Sequence, residues 1–367
     1  MVLVLIVDES FQLHCKWVSK CMNHIKCALA SCLISSLLMF SVACQSEEFS
    51  KNNGHYTVGS PIQDGLGDRS FADMTYVGLA KAKDKWGIKL IFDVGHQTAV
   101  TEDEREASIQ RLIDKKVDLI VASGWQFLDV FKKMAQRYPH QKFFLNEVPV
   151  KGYPNISSTV FAQHEGSFLV GCLAGWMSKT NKIGFVGAMD LPVIHAFRVG
   201  YIEGAKYANP DIDVQYAFVT TGNDFSGFEK PEEGLRLAEE QYNDGVDIIY
   251  QVAGGQTGRG VIEAARKHQK YAIGVDIDED HIAKGFVLTS MIKRIDVSTY
   301  KEVTRISKGT FKAGITKYGL ADQGVSLSPM KFTKHLIPNE ILKKLSDVKA
   351  RIISGDIQVT DYLNTHK

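Results

Sequence analysis

Residues 244–266 read DGVDIIYQVAGGQTGRGVIEAAR, an apolar run that ends in glycines and continues in a helical pattern. This succession predicts a strand, a turn and a helix, the unit that builds doubly wound parallel α/β sheets. The glycines at 255, 258 and 260 match neither the G-x-G-x-x-G fingerprint nor a P-loop, and no lysine follows them. Gly254 and Gly255 therefore indicate either a loop that approaches a ligand closely or a tight strand-to-helix turn.

The same pattern occurs earlier in the chain. KKVDLIVASGWQF at 115–127 resembles DGVDIIYQVAGGQ at 244–256, and HQKFFL from His140 is echoed as HQKYAI from His268. Two matches in the same order predict two α/β lobes of like topology. Open α/β sheets bind ligands beyond the carboxyl ends of their strands, so a cleft between the lobes is the predicted site.

Apolar runs separated by helical patterns extend this organisation over the whole body of the chain. Helices are predicted near 70–85, 102–115, 127–137 and 338–354, with a further one beginning at His164 and Glu165. Runs that are apolar on both faces are typical of parallel strands covered by helices. The strands are predicted at 56–62, 88–95, 117–124, 142–148, 182–189, 214–221, 246–254, 271–276 and 286–292.

Composition and charge restrict the class of protein. The chain has 367 residues, 44% of them apolar and 23% charged, which is typical of a soluble globular protein with room for two domains. The formal net charge of +1 gives no electrostatic reason to expect a nucleic-acid partner. No helix-turn-helix pattern precedes the body, so a transcription factor is not the predicted class.

The N-terminal region resembles a bacterial lipoprotein signal. Residues 27–43 carry no charge, follow Lys26 and end in small residues before Cys44. We expect cleavage before Cys44 and lipidation of its thiol, with residues 45–54 as a polar tether. A retained anchor helix and a plain secretory signal are the alternatives.

Translation is predicted to start at Met22, because residues 1–21 place Asp8 and Glu9 where a signal peptide has positive charge. After cleavage only Cys44 and Cys172 remain, so a lipidated Cys44 leaves no disulfide. Cys172 is interpreted as a small buried apolar residue. No metal-ligand spacing and no nucleophile elbow is found in the sequence, so we expect neither a metal site nor catalysis.

Several segments together resemble the basic membrane protein (BMP) family of ABC-transporter substrate-binding lipoproteins, which includes purine nucleoside receptors. The resemblance implies a type I periplasmic-binding-protein fold with two lobes, three crossovers and a hinge. It also implies no cofactor and no catalysis, and it gives an ABC permease as the membrane partner. The matching segments are 64–79, 164–190, 200–212, 244–265 and 272–279.

The resemblance also suggests a domain division. Residues 55–162 are expected to form lobe 1 and residues 163–274 lobe 2. Residues 275–367 are expected to provide the crossovers that complete both lobes.

For a nucleoside, the resemblance implies that Asp276 binds ribose hydroxyls and that Lys293 lies in the cleft. A carboxylate suits this role because charge-assisted hydrogen bonds to hydroxyls are short and strong. Both residues are expected to act with the first lobe, opposite the loops at Phe225 and at Gly254 and Gly255. A surface ion pair, or for Lys293 a solvated helix start, is the alternative.

The first lobe carries a variant of the family motif D-x-G-x-x-D-x-S-F-N. Asp64, Asp68 and Phe71 match the motif, but the loop is one residue shorter and Ala72 replaces the usual Asn. Asp73 follows and is a candidate substitute for that amide. For stacking on a base, the candidate rings are Trp125 and Phe225, each of which core packing explains equally well.

The predicted function is a lipid-anchored receptor on the extracytoplasmic face of the cell membrane that delivers a nucleoside, most simply a purine, to an ABC permease. A regulatory lipoprotein with a degenerate cleft is an alternative, which the shortened loop and Ala72 favour. A sugar receptor is a third interpretation. Whether the cleft binds a small solute tightly separates the first two.

Overall fold

The computed structural model describes residues 56–62, 71–94, 101–222 and 224–365. Residues Lys51–Lys367 form one compact unit that contains two six-stranded sheets. Among the described residues, no helix combines the length and apolar character needed to cross a membrane.

The first sheet has six parallel strands in the order β11-β5-β4-β3-β1-β2. Five of its strands come from the first part of the chain and one is added late, as expected when the chain returns to a lobe. The strands are β1 Thr57–Pro61, β2 Lys89–Asp93, β3 Leu119–Ser123, β4 Lys142–Asn146, β5 Ile156–Phe161 and β11 Gly314–Tyr318.

The second sheet has the order β12-β10-β9-β8-β6-β7, in which only β12 runs antiparallel, along β10. Strand β7 is one edge and β12 the other. The strands are β6 Lys182–Asp190, β7 Asp213–Thr221, β8 Ile248–Val252, β9 Tyr271–Asp276, β10 Val287–Lys293 and β12 Val325–Leu327.

The chain passes between the sheets three times: after β5, back after β10, and forward again after β11. The passages are hydrogen bonded to one another. Ala162 N donates to Tyr318 O at 2.8 Å, and Arg294 N donates to Gly324 O at 2.8 Å. Two parallel-dominated sheets joined in this way are the predicted two-lobed α/β fold, and the fold prediction is confirmed.

Helices cover both sheets. The helix Glu102–Asp114 (α2) begins with a capping box, in which Thr101 and Glu104 satisfy each other's backbone N–H groups. Helices α4 and α5 approach so closely that a Cβ added at Gly171 would collide with the carbonyl oxygen of Tyr201. The helices are α1 Phe71–Trp86, α2 Glu102–Asp114, α3 Leu128–Arg137, α4 Gln163–Met177, α5 Pro192–Ala208, α6 Pro231–Asn243, α7 Gly255–His268, α8 Ile295–Ser307, α9 Asn339–Ser354 and α10 Tyr362–Thr365.

All nine predicted strands are present, but β5, β11 and β12 were not predicted. Strand β5 reads ISSTVF, and its Ser157, Ser158 and Thr159 are fully buried despite their hydroxyls. Strand β11 has a single buried residue and β12 has three residues in all, so neither has a strong apolar period. Cys172 is fully buried, as predicted.

The assignment of Asp276 and Lys293 to the first lobe is wrong. They end β9 and β10, which belong to the second sheet. The chain returns to the first sheet only at α8, which packs on α1 and β4. Both residues therefore lie on the second lobe, directly before the second passage.

Candidate solute-binding site

Carboxyl ends of strands from both sheets meet at one buried ion cluster. Glu147 follows β4 of the first sheet, and its Oε1 contacts Nζ of Lys293, the last residue of β10 in the second. Asp276 ends the neighbouring β9, and its Oδ1 lies 3.4 Å from the same ammonium. The side chain of Lys293 is only 5% exposed, so this cluster joins the two lobes away from bulk solvent.

Both carboxylates of the cluster sit on left-handed backbone. Glu147 has φ 71° and Asp276 has φ 65°. For residues other than glycine this conformation costs about 1–2 kcal/mol, so it persists only where the surroundings enforce it. Strand β4 and strand β9 each end in such a turn, which directs an acidic side chain toward Lys293.

A buried hydrogen-bond network fixes the turn that carries Glu147. The preceding residue, Asn146, is fully buried and donates from Nδ2 to Thr299 Oγ1 at 2.8 Å. Its Oδ1 accepts from Thr159 Oγ1 at 2.8 Å and from Ser298 Oγ at 2.7 Å. The end of β4 is thus locked to β5 and to α8, and the direction of Glu147 is set by the first lobe.

The electrostatics of the cluster keep Lys293 charged. Burial by itself lowers the pKa of the ammonium, but Asp276 and Glu147 outweigh it, so the pKa of Lys293 lies above its ordinary value. The ammonium also lies 4.7 Å from the centre of the Phe197 ring, a cation–π contact from α5. Burial raises the pKa of Glu147, and the neighbouring Asp276 adds to this, against the attraction of Lys293.

One acceptor of the cluster is unsatisfied. Asp276 Oδ1 is buried and accepts no hydrogen bond, although Nζ of Lys293 lies 3.4 Å away. A buried carboxylate oxygen without a donor is costly. A hydroxyl or N–H group of a solute would supply the missing donor, which is the chemistry expected of Asp276.

The glycine loop after β8 is explained in part by packing. Gly254 and Gly255 have φ 52° and 43°, a conformation that glycine adopts without strain. Ala253 N and Gly254 N donate to Gln251 Oε1 at 3.1 and 3.0 Å, and a Cβ at Gly258 would collide with the same side chain. The tight-turn interpretation therefore holds for this loop. Contact of Gly254 and Gly255 with a solute remains a prediction.

The aromatic candidates differ in position. Trp125 follows β3 at the carboxyl edge of the first sheet and is 48% exposed, so it is a ring available to a ligand rather than a core residue. Phe228, downstream of Phe225, is half-buried and packs against Met189 and Ala253. The side chain of Phe225 lies outside the described residues.

The first-lobe candidates are only partly described. Asp73 is half-buried in the first turn of α1. Asp64, Asp68 and the side chain of Phe71 lie outside the described residues, as does Cys44. Their predicted roles stay predictions.

Sequence reasoning missed Glu147, Asn146 and Phe197. A signal for the first two was present, since NE directly follows the apolar run KFFL, where a parallel strand presents its carboxyl end. Phe197 carries no such signal, because an aromatic residue inside a predicted helix is ordinarily interpreted as part of the hydrophobic core. Across the described ranges, no group of three or more His, Cys, Asp or Glu side chains is arranged to hold a metal ion.

Comparison with known proteins gives consistent results. The sequence model of a family described as "ABC transporter substrate-binding protein PnrA-like" matches residues 56–362. An ABC transporter nucleoside-binding protein BmpA of Lactococcus lactis is 28% identical over 355 residues, covering 89% of this chain and 97% of the relative.

Solved structures agree with the fold. An ABC transporter solute-binding protein of Aeropyrum pernix superposes with a TM-score of 0.68 at 24% identity, covering 83% of this chain and 93% of that one. A transcriptional activator of the comK gene from Bacillus halodurans superposes with a TM-score of 0.70 at 25% identity, covering 83% and 99%.

Proposed function

Because the chain belongs to the PnrA-like family of ABC transporter substrate-binding proteins, we propose that it is the receptor of an importer that binds a nucleoside between its lobes. Proteins of this family bind substrates for transporters and are not enzymes. The observation that carries the proposal is the buried cluster of Asp276, Lys293 and Glu147 at facing strand ends, with one carboxylate oxygen lacking a donor.

A nucleoside suits this arrangement chemically. Its ribose hydroxyls can donate to Asp276 Oδ1, and a base can stack on an exposed ring such as Trp125. The name of the Lactococcus relative also supports a nucleoside. A purine is the narrower proposal, because its larger ring system offers more area for stacking.

Delivery to a permease follows from lobe closure. A solute that contacts both lobes stabilises the closed arrangement relative to the open one by its differential contacts. We place the protein on the extracytoplasmic face of the membrane, tethered through lipid on Cys44 by residues 45–54. A Cys44→Ser variant should lose membrane association and incorporation of labelled palmitate. Retention of both would contradict the lipid anchor.

A regulatory lipoprotein on the same fold is the second candidate. The similar protein from Bacillus halodurans is described as a transcriptional activator, and Ala72 stands where the nucleoside-receptor motif has Asn. This candidate predicts that no nucleoside binds tightly in the cleft. The receptor candidate predicts tight binding, which would raise the melting temperature of the protein.

Thermal melting of residues 45–367, which contain the whole compact unit, tests the proposal. The panel comprises purine nucleosides, pyrimidine nucleosides, free bases, sugars and amino acids, after unfolding and refolding to remove any co-purified solute. A ligand at about 100 times its Kd adds about 2.7 kcal/mol to the free energy of unfolding.

A shift with inosine, adenosine or guanosine that is lost in Asp276→Ala would support the purine receptor. A shift only with sugars or only with pyrimidine nucleosides would replace the solute and keep the transport role. No shift from folded, empty protein would favour the regulatory candidate.

A further inference from the structure

Glu147 is an acidic residue of the first lobe, and its Oε1 contacts Nζ of Lys293 in the second lobe. A carboxylate that is largely removed from water has to be paired with a cation or protonated, so Glu147 would be costly at this position without a partner. Lys293 already has a carboxylate on its own lobe, Asp276, which is close enough to neutralise it. Lys293 therefore has a carboxylate neighbour from each lobe.

The geometry gives Glu147 a different effect. Its contact with the ammonium is direct, whereas Asp276 Oδ1 stays 3.4 Å away and without a hydrogen bond. The ammonium is drawn toward the first lobe and off the second-lobe acceptor.

The backbone supports a functional arrangement. Within the described ranges seven residues other than glycine have positive φ, and two of them, Glu147 and Asp276, converge on this one ammonium. Strained backbone of this kind persists where the surrounding structure enforces it. For Glu147 the enforcing contacts are the buried hydrogen bonds of the preceding Asn146 to Thr159, Ser298 and Thr299.

We propose that Glu147 is a positioning residue of the solute site, which holds Lys293 away from Asp276 and so keeps Asp276 Oδ1 free for the solute. This inference rests on the proposed function in so far as the solute is a nucleoside. The contact between Glu147 and Lys293 itself is present in the protein without solute. Glu147 acts through Lys293 and need not touch the solute.

A double-mutant cycle with inosine as the probe tests the role in binding. Glu147→Gln should weaken inosine binding about tenfold in titration calorimetry, the size of one charge-assisted hydrogen bond. In Asp276→Asn, whose acceptor is already impaired, the same substitution should have no further effect. Glu147→Asp, which keeps the charge, should retain most of the affinity and covers the case in which the Gln variant does not fold.

Glu106→Gln is the matched control, because Glu106 is likewise an ion-paired glutamate, but its partners Lys133 and Arg137 lie within the first lobe and away from the site. It should leave inosine affinity unchanged. Equal loss from Glu147→Gln in wild type and in Asp276→Asn, or no loss in wild type, would overturn the proposal.

A crystal structure of the ligand-free Glu147→Gln protein tests, without any solute, whether Glu147 holds Lys293 away from Asp276. Lys293 Nζ is expected within hydrogen-bond distance of Asp276 Oδ1. An ammonium that remains off Asp276 overturns the inference. If the wild-type protein binds no nucleoside, the proposed function fails, and this structure still decides whether Glu147 restrains Lys293.

Discussion

Glu279 accepts a hydrogen bond of 2.5 Å from Gln251 Nε2, and both side chains are buried behind the strand ends of the second lobe. The same carboxylate accepts a hydrogen bond from Val275 N at 3.0 Å, and Gln251 Oε1 accepts hydrogen bonds from Ala253 N and Gly254 N. One buried acid thus supports both the glycine loop after β8 and the end of β9 that leads to Asp276. Burial raises the pKa of Glu279 to about 7.

This raised pKa predicts a pH dependence of stability. A carboxyl group with a higher pKa in the folded state stabilises the fold at low pH, and that stability is lost as pH rises toward 7. Between pH 5 and pH 8 the free energy of unfolding of the wild-type protein should fall. In Glu279→Gln this fall should be smaller by up to about 3 kcal/mol. Urea denaturation at both pH values measures this difference.

The comparison uses the difference between wild type and Glu279→Gln, because Asp280, whose pKa burial raises to about 6, titrates in both proteins. Glu340→Gln on exposed α9 is the control and should leave the pH profile unchanged. The same slope in wild type and Glu279→Gln would show that Glu279 is ionised in the folded protein at pH 5.

Lys293→Met should destabilise the protein by about 3–5 kcal/mol at pH 8, because it leaves Glu147 and Asp276 as largely desolvated carboxylates without a cation. Part of the loss should be recovered at pH 5, because burial raises the pKa of Glu147 and this carboxyl group can then take up a proton. Chemical denaturation at the two pH values measures both effects. Lys133→Met, which breaks an exposed pair with Glu106, should cost less than about 1 kcal/mol. A pH-independent loss in Lys293→Met would indicate lost packing rather than unpaired charge.

Trp125 is predicted to report solute binding, since its half-exposed ring lies at the carboxyl edge of the first sheet. Addition of a bound nucleoside should change the tryptophan fluorescence of the wild-type protein. Trp125→Phe should lose most of that change and keep an aromatic face, so its affinity should fall less than that of Trp125→Ala. Trp86→Phe is the control, because Trp86 is the last residue of α1 and its indole donates to Thr304 of α8 at 3.0 Å. An unchanged signal in Trp125→Phe would remove Trp125 from the site.

Gly204→Ala should destabilise the second lobe although alanine is the better helix former. An added Cβ would collide with the carbonyl oxygen of Phe168, where α5 crosses α4 in backbone contact. Overpacking of this kind costs about 1–3 kcal/mol, which exceeds the gain of about 1 kcal/mol in helix propensity. A higher melting temperature in Gly204→Ala would mean that the two helices separate easily.

The sequence predicted the elements with strong apolar periods. The echo of VDLIVASG in VDIIYQVAG indicated two like sheets, and these segments are β3 and β8 in equivalent places of the two lobes. Strand β5 was not predicted, because its sequence ISSTVF carries hydroxyl groups whose burial depends on tertiary hydrogen bonds. Ser158, for example, donates to Gly314 O of the late strand β11 at 3.3 Å.

At the site, the sequence predicted Asp276 and Lys293 through a family resemblance, but neither their lobe nor their partner. Membership of a lobe depends on where the chain crosses between sheets, and the passage at Arg294 follows Lys293 without any composition signal. Glu147 lies 146 residues before Lys293, so no local pattern links them.

The sequence by itself determined the alternation of strands and helices, because burial on both faces requires apolar periods that are visible in one dimension. Only the tertiary structure decided which charges meet. Coulomb interactions act through space, and folding brings Glu147, Asp276 and Lys293 together from two lobes into a site with little water.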